Sequence, residues 1–332
     1  MDLSTSYMGL KLKNPLIVGS SRITGELKTI QQCISFGAGA VVLKSIFEEQ
    51  ITHRAETSLK QGRENEAYYW FPEARESILN LSKEAGLDYY LQFIDNLKSS
   101  NDVPVISSIH CISPDGWPRF AKRIESAGAD ALELNISIFP FSKSMTSGQI
   151  EDVYVEIVKA VKKEVKIPVS VKLGPFFTNI CNIVNRIVDA GAEGLVLFNR
   201  YFHPDIDIDN LNVIVHEPYS SPEEMSLPLR WIALLKGHNL QCDIAASTGV
   251  HYHSGVIKQI LVGASAVQLC STLYLNGIPQ ISKILEGLQK WMKKHHYESI
   301  HDFRGESLGQ QTADTGFERI QYMKMDFEEN GF

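Results

Sequence analysis

PVSVKLGPFFTNICNIVNRIVDAGAEGLVLFN, residues 168–199, changes its pattern twice. Pro168–Gly174 is a short apolar run, the length of a strand and too brief for a helix. An amphipathic stretch follows and closes at Gly191-Ala192, where a helix end favours a glycine in the left-handed conformation. Gly194–Asn199 is again short and apolar. An apolar strand, a helix and a second apolar strand form the repeating unit of a parallel sheet covered by helices.

The same unit recurs on both sides. Strands are expected at Leu16–Ser20, Ala40–Ile46, Pro104–His110, Ala131–Ser137, Pro168–Gly174, Gly194–Asn199, Asp243–Thr248 and Ala266–Tyr274. Gly37-Ala38, Gly128-Ala129 and Gly263-Ala264 repeat the helix-closing punctuation. About eight βα units without a break predict a closed (β/α)8 TIM barrel rather than an open doubly wound sheet. No G-x-G-x-x-G opens the first helix, which weighs against a nicotinamide-binding domain. The 332 residues then divide into one barrel, 1–308, and a tail, 309–332, either an arm on a partner subunit or disordered chain. Two intervals, 47–87 and 200–226, are too long for simple connections and follow strand C-termini, where barrels build function. Their aromatic residues (Tyr68, Tyr69, Trp70, Phe71; Tyr201, Phe202, His203) suit lids or substrate loops.

Composition sets the outer limits. With 44% hydrophobic and 21% charged residues the chain can bury a sizeable core. A net charge of −7 with no basic block argues against nucleic acid as a partner. No stretch approaches the roughly 18 apolar residues of a membrane span, and Met1-Asp2-Leu3-Ser4 does not begin a leader, so a cytoplasmic protein with no membrane contact is expected. Five cysteines (Cys33, Cys111, Cys181, Cys242, Cys270) without a C-x-x-C pair predict reduced thiols and no metal or iron–sulfur centre.

In a barrel, polar residues at strand C-termini are informative because packing gives no reason for them. Lys44 and Ser45 end the second strand, Asn135 lies near the end of the fourth, Lys172 ends the fifth and Asn199 the sixth. Two lysines and two asparagines converging on one mouth indicate a site. Strands seven and eight end in Ser247-Thr248-Gly249 and Cys270-Ser271, small residues whose backbone N–H groups can approach an anion at the usual phosphate position of barrels. Small residues there also ease helix packing. A phosphate site, two cations and amide side chains together suit a phosphorylated, planar, electron-accepting cofactor such as FMN, with a lysine stabilising the charge of its reduced ring.

The motifs fall in a colinear order: Asn14-Pro15-Leu16-Ile17-Val18-Gly19-Ser20, Lys44-Ser45, Gly86-Leu87-Asp88-Tyr89-Tyr90-Leu91, Glu133-Leu134-Asn135-Ile136-Ser137, Val171-Lys172-Leu173-Gly174-Pro175, Gly263-Ala264-Ser265-Ala266-Val267-Gln268, and Tyr297 to Gly305. This order resembles the dihydroorotate dehydrogenase family, specifically its soluble class 1 branch, over nearly all of residues 1–308. The resemblance implies a homodimer of pyrimidine biosynthesis. It would bind FMN at the barrel mouth and oxidise the C5–C6 bond of dihydroorotate, with hydride passing to the flavin and the C5 proton to a loop Cys or Ser. Carried over by position, Lys44, Asn135, Lys172 and Asn199 form the catalytic set. Gly19, Ser20, Lys44, Ser45, Asn135 and Lys172 would contact the flavin, with Lys172 near N1. Ser247, Thr248, Gly249, Cys270 and Ser271 would hold the phosphate end, at positions where the family has Gly-Gly and Gly-Thr.

The chain departs from the family in two places. The position of the Cys or Ser base is occupied by Ile138, which cannot accept a proton. General-base catalysis is worth about 10²- to 10⁴-fold; His110 or a residue of the long loops could replace it. Residues 47–87 also lack the family's Asn-Ser-Met-Gly-like run that grips orotate, and carry Arg63-Glu64-Asn65-Glu66-Ala67-Tyr68-Tyr69-Trp70 instead. Two alternatives therefore stand: a flavin protein diverged to another substrate or without turnover, and a Schiff-base lyase using Lys172 or Lys44 as the amine. A soluble electron acceptor, such as fumarate or a protein partner, fits a chain with neither membrane segment nor cysteine cluster.

Overall fold

The computed structural model describes residues 1–52, 72–138, 142–201, 203–215, 217–309 and 317. A hairpin comes first, β1 (Thr5–Tyr7) and β2 (Leu10–Leu12), followed by β3 (Leu16–Val18), β4 (Ala40–Val42) and β5 (Ile46–Phe47). The remaining strands are β6 (Val105–His110), β7 (Ala131–Asn135), β8 (Val169–Leu173), β9 (Gly194–Leu197), β10 (Pro204–Asp207), β11 (Asn212–Val215), β12 (Asp243–Ala246) and β13 (Ala266–Leu269). Eight of them pair in parallel in the order β3, β4, β6, β7, β8, β9, β12, β13, and β13 returns to β3, so the barrel is closed. All four helix-closing glycines, Gly37, Gly128, Gly191 and Gly263, adopt positive φ, as their Gly-Ala punctuation implied.

All eight barrel strands are shorter than the sequence expectation, and three of the differences bear on the site. The first strand stops at Val18 rather than Ser20. The second stops at Val42 and resumes as β5, because the Lys44 and Ser45 amides turn to Thr24 O (3.2 Å) and Ser20 Oγ (2.9 Å) instead of a neighbouring strand. The eighth ends at Leu269, not Tyr274. Cys270 leaves the extended region and Ser271–Leu275 is a short helix, so the apolar run Leu273-Tyr274-Leu275 had imitated strand.

The interval 47–87 is not all loop, since a helix, Pro72–Ser100, begins inside it. Residues 53–71, including Tyr68, Tyr69, Trp70 and Phe71, lie outside the described residues, as do Phe202, 310–316 and 318–332 of the tail. Within 200–226, β10 and β11 form a two-stranded sheet of their own, paired from Pro204↔Val215 to Asp207↔Asn212.

Outside the barrel, the helices lay apolar faces on the strands: Trp117, Phe120 and Ile124 on one, Ile180, Ile183, Val184 and Ile187 on another. Inside, the lower layer is Ile17, Val42, Ile106, Ala131, Val196, Ala245 and Ala266, and the β1–β2 hairpin closes it from below with Tyr7, Met8 and Leu12. Tyr7 is 1% exposed and donates to Leu195 O (3.4 Å); the Met8 amide donates to Asp243 Oδ2 (2.8 Å). Among the described residues no helix is long and apolar enough to cross a membrane.

Candidate functional site

Above this floor the inward-facing residues become polar. Cross-strand pairing places Ser108 beside Glu133 and Glu133 beside Ser170, and one step higher Asn135 beside Lys172. Ile109 pairs with Leu134, so His110 stands next to Asn135 in that upper row. Side chains two residues apart along a strand share a face; His110, Asn135 and Lys172 therefore share one row of the barrel, and of the three Lys172 reaches the wall of the cleft above it. A bond across the barrel confirms the direction: Gln268 of β13 donates to Glu133 Oε2 of β7 at 2.6 Å, although these strands are not neighbours.

A cleft of about 350 Å³ opens over this layer, within the usual range for a small-molecule site. Of the residues singled out from sequence, it gathers Gly19, Ser20, Lys172, Asn199, Ser247, Thr248, Gly249, Cys270 and Ser271. Three others stand off its walls. Asn135 lies behind Asn199, whose Nδ2 donates to Asn135 Oδ1 at 3.0 Å. Ser45 is buried in a hydroxyl chain, 3.1 Å from Ser20 Oγ and 2.7 Å from Ser108 Oγ. Lys44 is exposed at the rim, its stem against Gly25.

The two ends of the cleft differ in character. At one, Lys172 Nζ sits 3.4 Å from Gln268 Oε1 and 3.8 Å from Glu133 Oε1, and Gly19 leaves room beside Gln268 that a side chain would fill. At the other, Thr248 and Gly249 both have positive φ, and a side chain on Gly249 would collide with the Met225 backbone. Thr248 Oγ1 donates to Phe198 O at 3.0 Å. Ser220 joins this end: its amide donates to Ser271 Oγ (2.9 Å), and its own Oγ accepts from the Gly249 amide (3.2 Å) 3.4 Å from His251 Nε2. Burial holds the His251 imidazole below its ordinary range, which favours a neutral ring able to accept from the Ser220 hydroxyl. Burial likewise raises the Cys270 thiol, and the nearby Lys172 only partly offsets it.

Arg200 forms a side wall. Its Nε and Nη2 reach the Glu224 carboxylate at 2.8 and 3.3 Å, and Nη2 lies 3.2 Å from His203 Nδ1. Burial raises the Glu224 carboxyl, but the Arg200 bonds outweigh it and hold it low. The Tyr201 ring stacks on Phe176 at 5.5 Å and lies against Gly174, where a side chain would displace it. Among the described residues no group of three His, Cys, Asp or Glu side chains could hold a metal ion.

His110 is half-buried between Phe47 and Trp117, and its Nδ1 is 2.8 Å from Asn135 O. A carbonyl can only accept, so Nδ1 carries the hydrogen of this bond and Nε2 is the ring nitrogen left to exchange a proton. Ile138 packs on the core as an ordinary apolar residue. Sequence reasoning passed over Glu133, Gln268, Ser220, Arg200 and His251. For the first two the signal was a charged or amide side chain inside an otherwise apolar strand, as in Ala131-Leu132-Glu133-Leu134.

The family model described as dihydroorotate dehydrogenase matches residues 2–292. The catalytic subunit of dihydroorotate dehydrogenase B (NAD(+)) from Methanocaldococcus jannaschii is 31% identical, over 89% of this chain and 94% of its own. The protein of the same name from Pyrococcus abyssi is 30% identical over 92% and 99%. The chloroplastic dihydropyrimidine dehydrogenase (NADP(+)) of Arabidopsis thaliana is 24% identical over 96% and 80%.

Proposed function

Because the chain belongs to the dihydroorotate dehydrogenase family and is an oxidoreductase of that type, we propose that it binds FMN in the cleft and oxidises the C5–C6 bond of dihydroorotate or a close relative of it. One observation carries the reading: a single cleft joins a lysine, set among Gln268 and Glu133, to a loop end of small residues at the C-termini of β12 and β13. The donor set fits. Hydroxyls of Ser247 and Ser271 suit a phosphate, with the backbone of Thr248 and Gly249 drawn close around it, and Gly19 and Ser20 leave room for a ring. FMN supplies the two-electron acceptor when bound.

The protein's own groups divide the remaining work. Lys172 places positive charge against the ring end of the cleft. Asn199, held from behind by Asn135, presents its amide to the substrate face, and Lys44 at the rim supplies a cation near flavin and substrate. The C5 proton, which Ile138 cannot take, goes to Nε2 of His110. The positive charge formed there is steadied by the Nδ1–H bond to Asn135 O. Family membership among dehydrogenases removes the reason for an imine-forming lysine. By the same resemblance the protein is a cytoplasmic homodimer of pyrimidine biosynthesis with a soluble electron acceptor, its barrel occupying residues 1–308.

Turnover tests this directly. FMN-loaded protein given dihydroorotate and an artificial dye acceptor should release orotate in proportion to dye reduced. Reduction by 5,6-dihydrouracil but not by dihydroorotate would move the substrate toward that of the dihydropyrimidine relative, and reduction by neither would leave a flavin protein without this activity.

A further inference from the structure

Glu133 is 1% exposed, and no other Asp or Glu among the residues whose burial is described is buried. Its Oε2 is taken by the Gln268 amide, while its Oε1 has no hydrogen-bond partner and faces Lys172 Nζ at 3.8 Å. Chemistry fixes the direction of the Gln268 amide. Turned over, its NH2 would oppose an ammonium and its carbonyl a carboxylate. The result is a chain from ammonium to amide to carboxylate, with Lys172 and Gln268 on the cleft wall and Glu133 off it. A buried carboxylate is costly unless it is paired. The floor beneath does not require it, because Tyr7 is already bonded to Leu195 O.

Resting on the FMN reading, we propose that Glu133 is a positioning residue: it is the counter-ion that holds the Lys172 ammonium at the ring end of the cleft and, by opposing its charge, keeps the reduction potential of the bound flavin down. Alone, the lysine would favour the anionic reduced ring fully. A carboxylate behind it cancels part of that field. The separation of 3.8 Å is about an ångström beyond a charge-assisted hydrogen bond, so the ammonium is shared between the cleft and its floor rather than captured by either.

The test is the flavin midpoint potential of FMN-loaded wild type, E133Q, K172M and the double variant. Glutamine keeps the volume and an acceptor for Gln268 but removes the charge. E133Q should raise the ratio of reduced to oxidised flavin at a fixed potential about tenfold, which for a two-electron couple is about 30 mV upward. In the K172M background the same change should leave the potential in place. An unchanged or lower potential in E133Q, or an equal rise without Lys172, overturns the proposal. If E133Q does not fold, infrared difference spectra of wild-type protein on flavin reduction decide: a shifted carboxylate stretch supports the counter-ion, and a silent carboxylate region overturns it. Failure to take up FMN overturns the cofactor reading and this proposal together, whereas a bound flavin indifferent to E133Q overturns this proposal alone.

Discussion

Thr248 shows how the cleft is tuned one residue at a time. It holds φ at 80°, where a β-branched residue is strained, and its hydroxyl bond to Phe198 O offsets part of the cost. T248A keeps the strain and loses the bond; T248G loses both. T248G should therefore be more stable than T248A by about 1 kcal/mol in urea unfolding, and equal stabilities would remove strain from the explanation. His110 carries the proton argument. H110N should still bind FMN but form orotate about 10²- to 10⁴-fold more slowly, and an undiminished rate would return the search to the long loops. At this scale the sequence made Lys172 and Asn199 legible because they end apolar strands. Glu133 and Gln268 were hidden by sitting mid-strand, where only the closed barrel reveals that both face a shared interior.

Connections between elements explain why the mouth keeps its shape. Glu48, just beyond β5, accepts from the amides of Ile112 (2.9 Å) and Ser113 (2.9 Å) and from the Ser113 hydroxyl (2.6 Å), tying the second strand's loop to the third's. Burial raises its carboxyl, but the Ser113 and Ile112 bonds outweigh that and hold it below its ordinary value. A carboxyl lowered by folding contributes stability above its unfolded pKa, which is lost as pH falls through the folded one. E48Q should cost about 1–2 kcal/mol at neutral pH and flatten the stability curve below about pH 4.5; an unchanged curve would sink the clamp. The β10–β11 hairpin pairs with no barrel strand, yet Val215 and the adjoining Glu217 line the cleft. Replacing 204–215 by a short glycine-serine link should leave the melting temperature nearly unchanged and weaken FMN binding at least several-fold, as equilibrium dialysis would show. The helices and strand centres were legible from period and punctuation, but the hairpin was not. Its apolar residues Ile206, Ile208, Leu211 and Val213 are exposed, so burial does not impose the usual alternation on them.

The whole molecule is a barrel closed at one end and chemically equipped at the other. The floor depends on Tyr7, which packs in one cluster with Ala131, Ala245 and Ala266 and their larger neighbours Ile17, Val42, Ile106 and Val196. Y7A should cost about 3–5 kcal/mol, read as a large drop in melting temperature, while a loss below about 1 kcal/mol would mean the hairpin is ornamental. Eight repeated units made this architecture legible from sequence, since a strand–helix period that persists without a break favours a closed barrel over an open doubly wound sheet. What the chain acts on was less legible, because the resemblance kept its flavin half and altered its substrate half at Ile138 and within 47–87. The anaerobic visible spectrum of the purified protein, before and after dihydroorotate, tests both halves at once. The account predicts flavin bands near roughly 370 and 450 nm, the latter bleaching on addition. A colourless protein that FMN cannot reconstitute, or bands that persist, would contradict it.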